Sequence, residues 1–346
     1  MALPTTADWL EYLELPKSVI DGIQSKEAST YSANANQFLS ALVNKILYQT
    51  VDGYDFKNPF AKFDSFDIEY GDTIENVWVE PVEGYDYDPD NTNPFGQAKP
   101  GVTVMYAQIN SERQYKVTIN DAYLRRAVLS AAGITRLVGE ILSQLPKAAD
   151  RDNYFLTMAC LQNEDIYYDG FEEVEKADTA EETAKKVTET IIDAVSGFES
   201  LNTVFNAAGV LNPTPKSDAL LIIKRTVYNS INLDYLTGVF NLEKVDLIKN
   251  IIVLDDLRYV QLTPGVAPSP DVTSVEGEDL DFIVLDSRGF DNHMALQDGG
   301  LIYNPQGKYT NHFYNVWRIT AFRHNYNARA FKLVEPSAET SEAAGN

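Results

Sequence analysis

Three aspartates in one short segment are the first candidates for metal chemistry. Asp86, Asp88 and Asp90 alternate along the chain, and a hard cation such as Ca²⁺ prefers several carboxylate oxygens that converge from a tight turn. However, Asn91 stands where a calcium loop needs glycine, and Gln97 stands where it needs a bidentate glutamate. The segment is therefore interpreted as a solvated loop tip, and no metal site is predicted.

The three histidines, His293, His312 and His324, could in principle bind a metal or transfer protons. His312 and His324 fall on one predicted strand, about 40 Å apart when the strand is extended. They cannot share a metal ion at that separation. We expect three single histidines, each at the surface or held by local hydrogen bonds.

The only cysteine, Cys160, lies in the helix-like run from Asn153 to Gln162. That run contains no histidine or basic residue that could lower the pKa of the thiol, so we predict a small buried apolar side chain and no catalytic nucleophile. A lone thiol also excludes an internal disulfide and is typical of a reducing compartment.

Two further patterns fail as catalytic motifs. The segment Gly300–Tyr309 has six residues between its glycines where a phosphate-binding loop has four, and Tyr309 stands where Ser or Thr should hold magnesium. The adjacent acids Asp255 and Asp256 could cleave a glycosidic bond, but such pairs arise by chance among 51 Asp and Glu residues. We therefore predict that the chain has no catalytic residue and no cofactor, and that it is not an enzyme.

The charge and length of the chain exclude some functional classes. Its formal net charge is −23, which argues against a protein that grips nucleic-acid phosphates through a basic stripe. The same charge fits a protein that stays soluble at high concentration, or a surface along which nucleic acid slides. A chain of 346 residues can bury a sizeable core. No apolar run approaches the ~18 residues of a membrane span, so no membrane contact is expected.

The N-terminal half divides into a helical arm and a β-rich segment. The arm, residues 1–53, carries two short helical patterns. The predicted strands that follow are Ser65–Tyr70, Thr73–Val82 and Val102–Thr118. They form a long hairpin whose tip is rich in Pro, Gly, Asp and Asn. Because an isolated hairpin is marginal in water, a neighbouring chain is expected to cover it.

The remaining segments predict helices and short buried strands. A long helical tract starts at Asp121, and Pro146 should break or kink it. A strand over Ile166–Val174 and a helix capped by Thr179 follow. Three apolar strands come next and are separated by turns and a helix: Asp218–Lys224, Asn250–Asp256 and Asp281–Ser287.

The C-terminal part of the chain contains two predicted strands that are rich in aromatic and β-branched residues. His312–His324 is apolar on both faces, so it must be covered on both sides. Asn325–Asn327 allows a turn into Ala328–Val334, which predicts a hairpin near the C-terminus. The polar tail over residues 335–346 is expected to be disordered.

The order of these parts resembles the major capsid proteins of tailed bacteriophages with the Hong Kong 97 type fold, and more narrowly those of the small phi-twenty-nine-like podoviruses. The residues that carry this resemblance are Asn58–Phe63, Gly71–Asn76, Ile252–Asp255, Ile283–Asp286, Asn304–Tyr309, Asn311, Tyr314, Val316, Trp317 and Ala328–Phe331. The likeness in order covers residues 34–334.

The resemblance implies an α+β capsid fold with named parts. Residues 1–53 would be the N-terminal arm, 54–118 the extended E-loop, and 119–199 the P-domain with its spine helix. Residues 200–300 would be the A-domain, residues 301–334 would return to the P-domain, and 335–346 would be the tail.

The resemblance also implies a function. The chain would self-assemble, through pentamers and hexamers, into an icosahedral or prolate shell around the double-stranded DNA genome of a bacteriophage. Assembly would occur in the bacterial cytoplasm, with a separate scaffolding protein and a portal protein at one vertex. The DNA would be packaged without sequence-specific binding, and the chain would reside in the virion.

The hairpin carries the predicted contacts between subunits, which are Tyr85, Tyr87, Phe95, Lys99 and Tyr106. Some relatives crosslink their subunits through Lys and Asn, and Lys99 is the candidate by position, but we expect no crosslink here. Two alternative functions stay open from the sequence. One is an encapsulin-like compartment shell, and the other is an acidic protein that binds or cleaves carbohydrate.

Overall fold

A computed structural model of the chain describes residues 55–66, 71–82, 84, 86–87, 89, 96–97, 99–120, 131–231, 250–260 and 275–336. The predicted arm over 1–53, the start of the helical tract at 121–130 and the tail from 337 onward lie outside these residues. The described residues form two compact units. One contains residues 115–147 and 299–314, and the other contains 56–114, 148–298 and 315–336.

The described helices and strands form an α+β arrangement. The helices are α1 (Ala131–Leu161), α2 (Ala180–Glu199) and α3 (Arg225–Ser230). The strands of the first half are β1 (Asp64–Phe66), β2 (Thr73–Val79), β3 (Val102–Gln108), β4 (Ser111–Asn120) and β5 (Phe171–Glu175). The strands of the second half are β6 (Ala219–Lys224), β7 (Asn250–Leu254), β8 (Tyr259–Val260), β9 (Val275–Glu276), β10 (Phe282–Asp286), β11 (Phe290–Asn304), β12 (Tyr309–Phe322) and β13 (Ala328–Val334).

A five-stranded sheet with the order β5-β13-β10-β6-β7 holds the main core. Strand β10 is buried along its whole length, and in β6 only Lys224 is partly exposed. Such continuous apolar runs require cover on both faces. Helix α1 supplies one cover through Met158 and Leu161, which pack near Ile222 and Ile283. The other face packs against α2.

Helix α2 begins as its sequence predicts. The Thr179 hydroxyl accepts a hydrogen bond from the Glu182 backbone N–H at 3.2 Å, which is the N-terminal half of a capping box. Val187, Ile191 and Val195 then recur on one face and are buried against the sheet. The spacing that predicts the helix is therefore the spacing that attaches it to the core.

A four-stranded sheet has the order β1-β11-β12-β4, and β1 runs parallel to β11. A tight turn connects β11 to β12. The Asn304 side-chain oxygen accepts hydrogen bonds from the backbone N–H groups of Gln306 and Gly307, and Lys308 adopts a left-handed φ of 52°. This Asx turn is the structural role of the Asn304–Tyr309 motif.

The predicted hairpin between His312–His324 and Ala328–Val334 is wrong. A turn does follow β12, but β12 pairs within the four-stranded sheet, whereas β13 lies between β5 and β10 in the other sheet. Ala328, Ala330 and Phe331 are almost completely buried. Both edges of β12 are already paired, with β11 and with β4, so β13 joins the interior of the other sheet, where both of its faces are covered.

Three other predictions need correction. The single strand predicted over Val102–Thr118 is divided into β3 and β4. The Asn110 side chain hydrogen-bonds the backbone N–H and C=O of Thr320 on β12, and this turns the chain from the β2–β3 pair into the four-stranded sheet. Pro146 does not break α1, since the helix is continuous from Ala131 to Leu161. The strand predicted from Ile166 begins only at Phe171.

Candidate assembly surfaces

The β2–β3 hairpin is a two-stranded ribbon with no buried residue. Seven antiparallel pairs connect it, from Thr73 opposite Gln108 to Val79 opposite Val102. Exposed and half-buried residues alternate along both strands. Four valines point to the more exposed face, with exposed fractions of 55% for Val77, 59% for Val79, 52% for Val102 and 40% for Val104. The outer half of this ribbon therefore presents apolar side chains to solvent.

Polar contacts hold the base of the ribbon in place. The Asn76 amide donates to the Asp291 carboxylate at 2.6 Å, and the Ile109 backbone N–H donates to the Asp72 carbonyl at 3.1 Å. Farther out, the Tyr106 hydroxyl donates to the Glu75 carboxylate at 3.1 Å, and this hydrogen bond raises the pKa of Tyr106. The base is anchored, while the exposed face has no cover among the described residues.

The structure places only some of the predicted contact residues. Tyr87 and Tyr106 are 89% and 66% exposed, and Lys99 is also exposed. Tyr85 and Phe95 lie outside the described residues. No neighbouring chain is present to test these contacts, so they stay predictions. The sequence reasoning missed the four ribbon valines, although their alternation in the sequence could have indicated them.

A second exposed apolar segment lies at the end of β11. The consecutive residues Leu301, Ile302 and Tyr303 are 67%, 62% and 53% exposed. Because successive side chains of a strand point to opposite faces, apolar groups are open to solvent on both sides here. Sequence reasoning assigned Gly300–Tyr309 only as a failed phosphate loop and missed this surface.

An open groove of about 400 Å³ lies beside this segment. Leu142, Leu145 and Pro146 of α1 form one wall, and the Gly299–Leu301 and His312–Tyr314 segments form the other. The lining is mostly apolar, and the Lys116 ammonium lies 5.6 Å from the Phe313 ring. The groove offers a surface for contact with another apolar element.

A network of buried hydrogen bonds centres on Asp286. Asp286 is completely buried, and its carboxylate accepts hydrogen bonds from the Thr214 hydroxyl at 2.8 Å and from the Arg288 guanidinium at 2.6 Å. The Asn327 amide donates to the Thr214 hydroxyl and to the Asn212 carbonyl. The network connects the segment before β6 to the segment before β13.

The residues that could have carried catalysis are held apart. Cys160 is half-buried against the core, and burial raises the pKa of its thiol to about 12. His293 shares a hydrogen bond of 2.9 Å with Asp291, and desolvation lowers the pKa of His324. In the described part of the chain, no three His, Cys, Asp or Glu side chains come together as metal ligands.

None of the helices in the described part of the chain is long and apolar enough to cross a membrane.

Comparison with known proteins identifies the family. The family model of the Phi29-like phage major capsid protein matches residues 14–332. The major capsid protein of Bacillus phage B103 is 25% identical over 303 residues, which cover 86% of this chain and 63% of that protein. The major capsid protein of Streptococcus phage Cp-1 is 25% identical over 323 residues, which cover 88% of this chain and 85% of that protein. The chain thus spans less than two thirds of the length of the B103 relative.

Solved structures agree on the fold. The capsid structure of Staphylococcus phage Andhra has a TM-score of 0.62 at 11% identity and covers 84% of this chain and 92% of its own. The capsid structure of cyanophage P-SCSP1u has a TM-score of 0.53 at 11% identity and covers 85% of this chain and 95% of its own. The fold is therefore the α+β capsid fold of the Hong Kong 97 type, as predicted. Since the family model also matches most of its length, the chain belongs to the Phi29-like phage major capsid protein family.

Proposed function

We propose that many copies of this chain assemble into the protein shell of a bacteriophage head. The observation that carries the proposal is the β2–β3 ribbon, in which none of the 14 paired residues is buried. A ribbon of two strands gains little stability alone and needs cover from another element. Sister copies of the chain can supply that cover over large interfaces.

The proposal extends to the partners of the shell. Pentamers and hexamers would form it in the bacterial cytoplasm with a separate scaffolding protein, and a portal protein would occupy one vertex. The net charge of −23 supports an inner surface along which packaged double-stranded DNA slides without sequence-specific binding. A strongly basic inner surface in the purified shell would contradict this part of the proposal.

The role is structural, as membership of a capsid protein family implies. The similar proteins of Bacillus phage B103 and Streptococcus phage Cp-1 are major capsid proteins, which disfavours the encapsulin and carbohydrate alternatives. The predicted contacts are part of this proposal: Tyr87, Lys99 and Tyr106, with Tyr85 and Phe95, would lie against a neighbouring subunit.

Expression of the full chain, alone and together with the scaffolding protein of the same phage, tests the proposal. Electron microscopy should then show closed shells of uniform size, and sedimentation should show large particles. Tyr87 and Tyr106 should react readily with an oxidative footprinting reagent in the free subunit and lose that reactivity in the shell. A chain that stays monomeric at every concentration, with and without the scaffold, would overturn the proposal.

A further inference from the structure

A buried polar cluster lies where strands β1 and β12 meet helix α1. The Asp64 carboxylate on β1 accepts a hydrogen bond from the Arg318 guanidinium on β12 at 3.1 Å. It accepts another from the Asn153 amide on α1 at 3.0 Å. The side chains of Asp64 and Arg318 are only 11% and 7% exposed. A buried ion pair is costly unless the remaining polar atoms around it are also satisfied, so each of those atoms needs a partner.

Asn292 on β11 belongs to the same cluster. It is the register partner of Asp64 in the parallel β1–β11 pair, and paired residues of neighbouring strands point to the same face of a sheet. Strand β11 lies between β1 and β12. Arg318 therefore reaches Asp64 by crossing over the strand that carries Asn292. The Asn292 side chain is 1% exposed, and from this register we infer that it faces the ion pair.

Four buried polar atoms of this cluster have no hydrogen-bond partner among the described residues. Two are donors, namely the Asn292 amide nitrogen Nδ2 and the Arg318 Nε. Two are acceptors, namely the side-chain oxygens Oδ1 of Asn292 and of Asn153. Buried polar atoms are almost always paired in native proteins. Four such atoms around one ion pair indicate a ligand that these side chains are arranged to bind.

We propose that the cluster binds ordered water, which bridges α1 to the four-stranded sheet. Equal numbers of free donors and acceptors require a ligand that both donates and accepts, and water does both. A metal cation would bind only the two free oxygens and leave the Asn292 Nδ2 and Arg318 Nε donors unpaired, while an anion would be repelled by Asp64 and by the nearby Asp150.

Thr320 extends the site along β12. It stands two residues after Arg318 on the same strand and so points to the same face. Its buried hydroxyl also has no partner among the described residues. The free polar atoms therefore come from β11, β12 and α1, the elements that neighbour the Asp64 carboxylate on β1. Bound water of this kind is a fixed part of a protein's structure.

A structure of the full chain in its assembled form, at a resolution that shows ordered water, tests the inference directly. A density peak should lie about 2.7–3.2 Å from the Asn292 amide and from at least one other free polar atom of the cluster. A dry cluster in which these side chains pair with one another would overturn the inference. A peak with oxygen distances of about 2.0–2.6 Å would indicate a metal ion and would also overturn it.

Two substitutions separate a water site from a dry one. Asn292→Leu keeps the side chain's size but removes one free donor and one free acceptor. If water is bound, this variant loses the peak and melts at a lower temperature, because Arg318 and Asn153 lose their bridge. If the cluster is dry, the variant removes two unpaired atoms and melts at the same or a higher temperature. Asn292→Ser leaves room for the water and should retain the peak; its absence there would contradict the inference.

Discussion

Val77 and Val104 face each other directly across the β2–β3 ribbon, and their side chains remain 55% and 40% exposed. The next pair, Val79 and Val102, repeats the arrangement on the same face. Full burial of a valine side chain stabilises by about 1.5–3 kcal/mol. Covering these four valines with another surface would therefore add several kcal/mol of hydrophobic stabilisation.

Replacing both Val77 and Val104 by Asp should abolish shell formation without unfolding the subunit. The two carboxylates would have to be buried without partners in any interface that covers this face. Circular dichroism should show unchanged helices and main sheet, because neither residue is buried within the subunit and the repulsion between the two carboxylates acts only within the ribbon. Electron microscopy and sedimentation should show no closed particles.

The double variant Val77→Ile and Val104→Ile is the matched control, since it alters the shape of the same face and keeps it apolar. It should still assemble. If the Asp variant assembles as well as the Ile variant, this face of the ribbon does not lie in an interface.

The sequence predicted the parts whose signals are local. The period of Val187, Ile191 and Val195 and the cap at Thr179 place helix α2, and the apolar runs place β6, β7 and β10. Each of these elements is determined by residues within a few positions of one another.

The errors come from pairing between distant segments. Strand β13 lies a turn away from β12 in sequence, yet it pairs with β5 and β10, whose residues lie up to about 160 positions away. Asn110 separates β3 from β4 because its side chain hydrogen-bonds the backbone of Thr320 on β12, which lies 210 positions away in the chain. No local pattern encodes these partners, and the same holds for the water-binding cluster around Asp64.

Two helical glycines should respond to alanine in opposite directions. A Cβ added at Gly197 in α2 would lie 2.5 Å from the ring of Phe205, so Gly197→Ala should destabilise the subunit by about 1–3 kcal/mol. Nothing lies within 4 Å of the corresponding position at Gly139 in α1. Gly139→Ala should stabilise by about 0.5–1 kcal/mol because alanine favours the helix.

Urea unfolding of the free subunits measures both changes. Because the two substitutions are chemically identical, the difference between them isolates the contact with Phe205. Equal effects of the two variants would show that Phe205 moves aside without cost.

Asp286→Asn should destabilise the subunit by about 1.5–3 kcal/mol, because charge-assisted hydrogen bonds from Arg288 lose their charged acceptor in a buried setting. Asp279→Asn is the matched control. Asp279 is 55% exposed and pairs with Lys224 at 2.6 Å, and an exposed ion pair contributes only about 0–1 kcal/mol. Denaturant midpoints of the two variants should differ clearly. Midpoints that coincide would mean that the buried network around Asp286 contributes no more than a surface pair.

Acidification below neutral pH should destabilise the fold through His324. Desolvation lowers the pKa of its imidazole in the folded chain below the ordinary value of 6.5, and the nearby Asp165 only partly opposes this shift. In the interval between the folded pKa and 6.5, the unfolded chain binds more protons at this residue than the folded chain does. The free energy of unfolding must therefore fall as the pH drops through that interval. Above the interval the imidazole is neutral in both the folded and the unfolded chain, so no stability is lost to its protonation. Thermal unfolding of the free subunit between about pH 7 and 5 measures the slope. His324→Gln, which cannot be protonated, should flatten this part of the curve, whereas an unchanged slope in that variant would assign the effect to other groups.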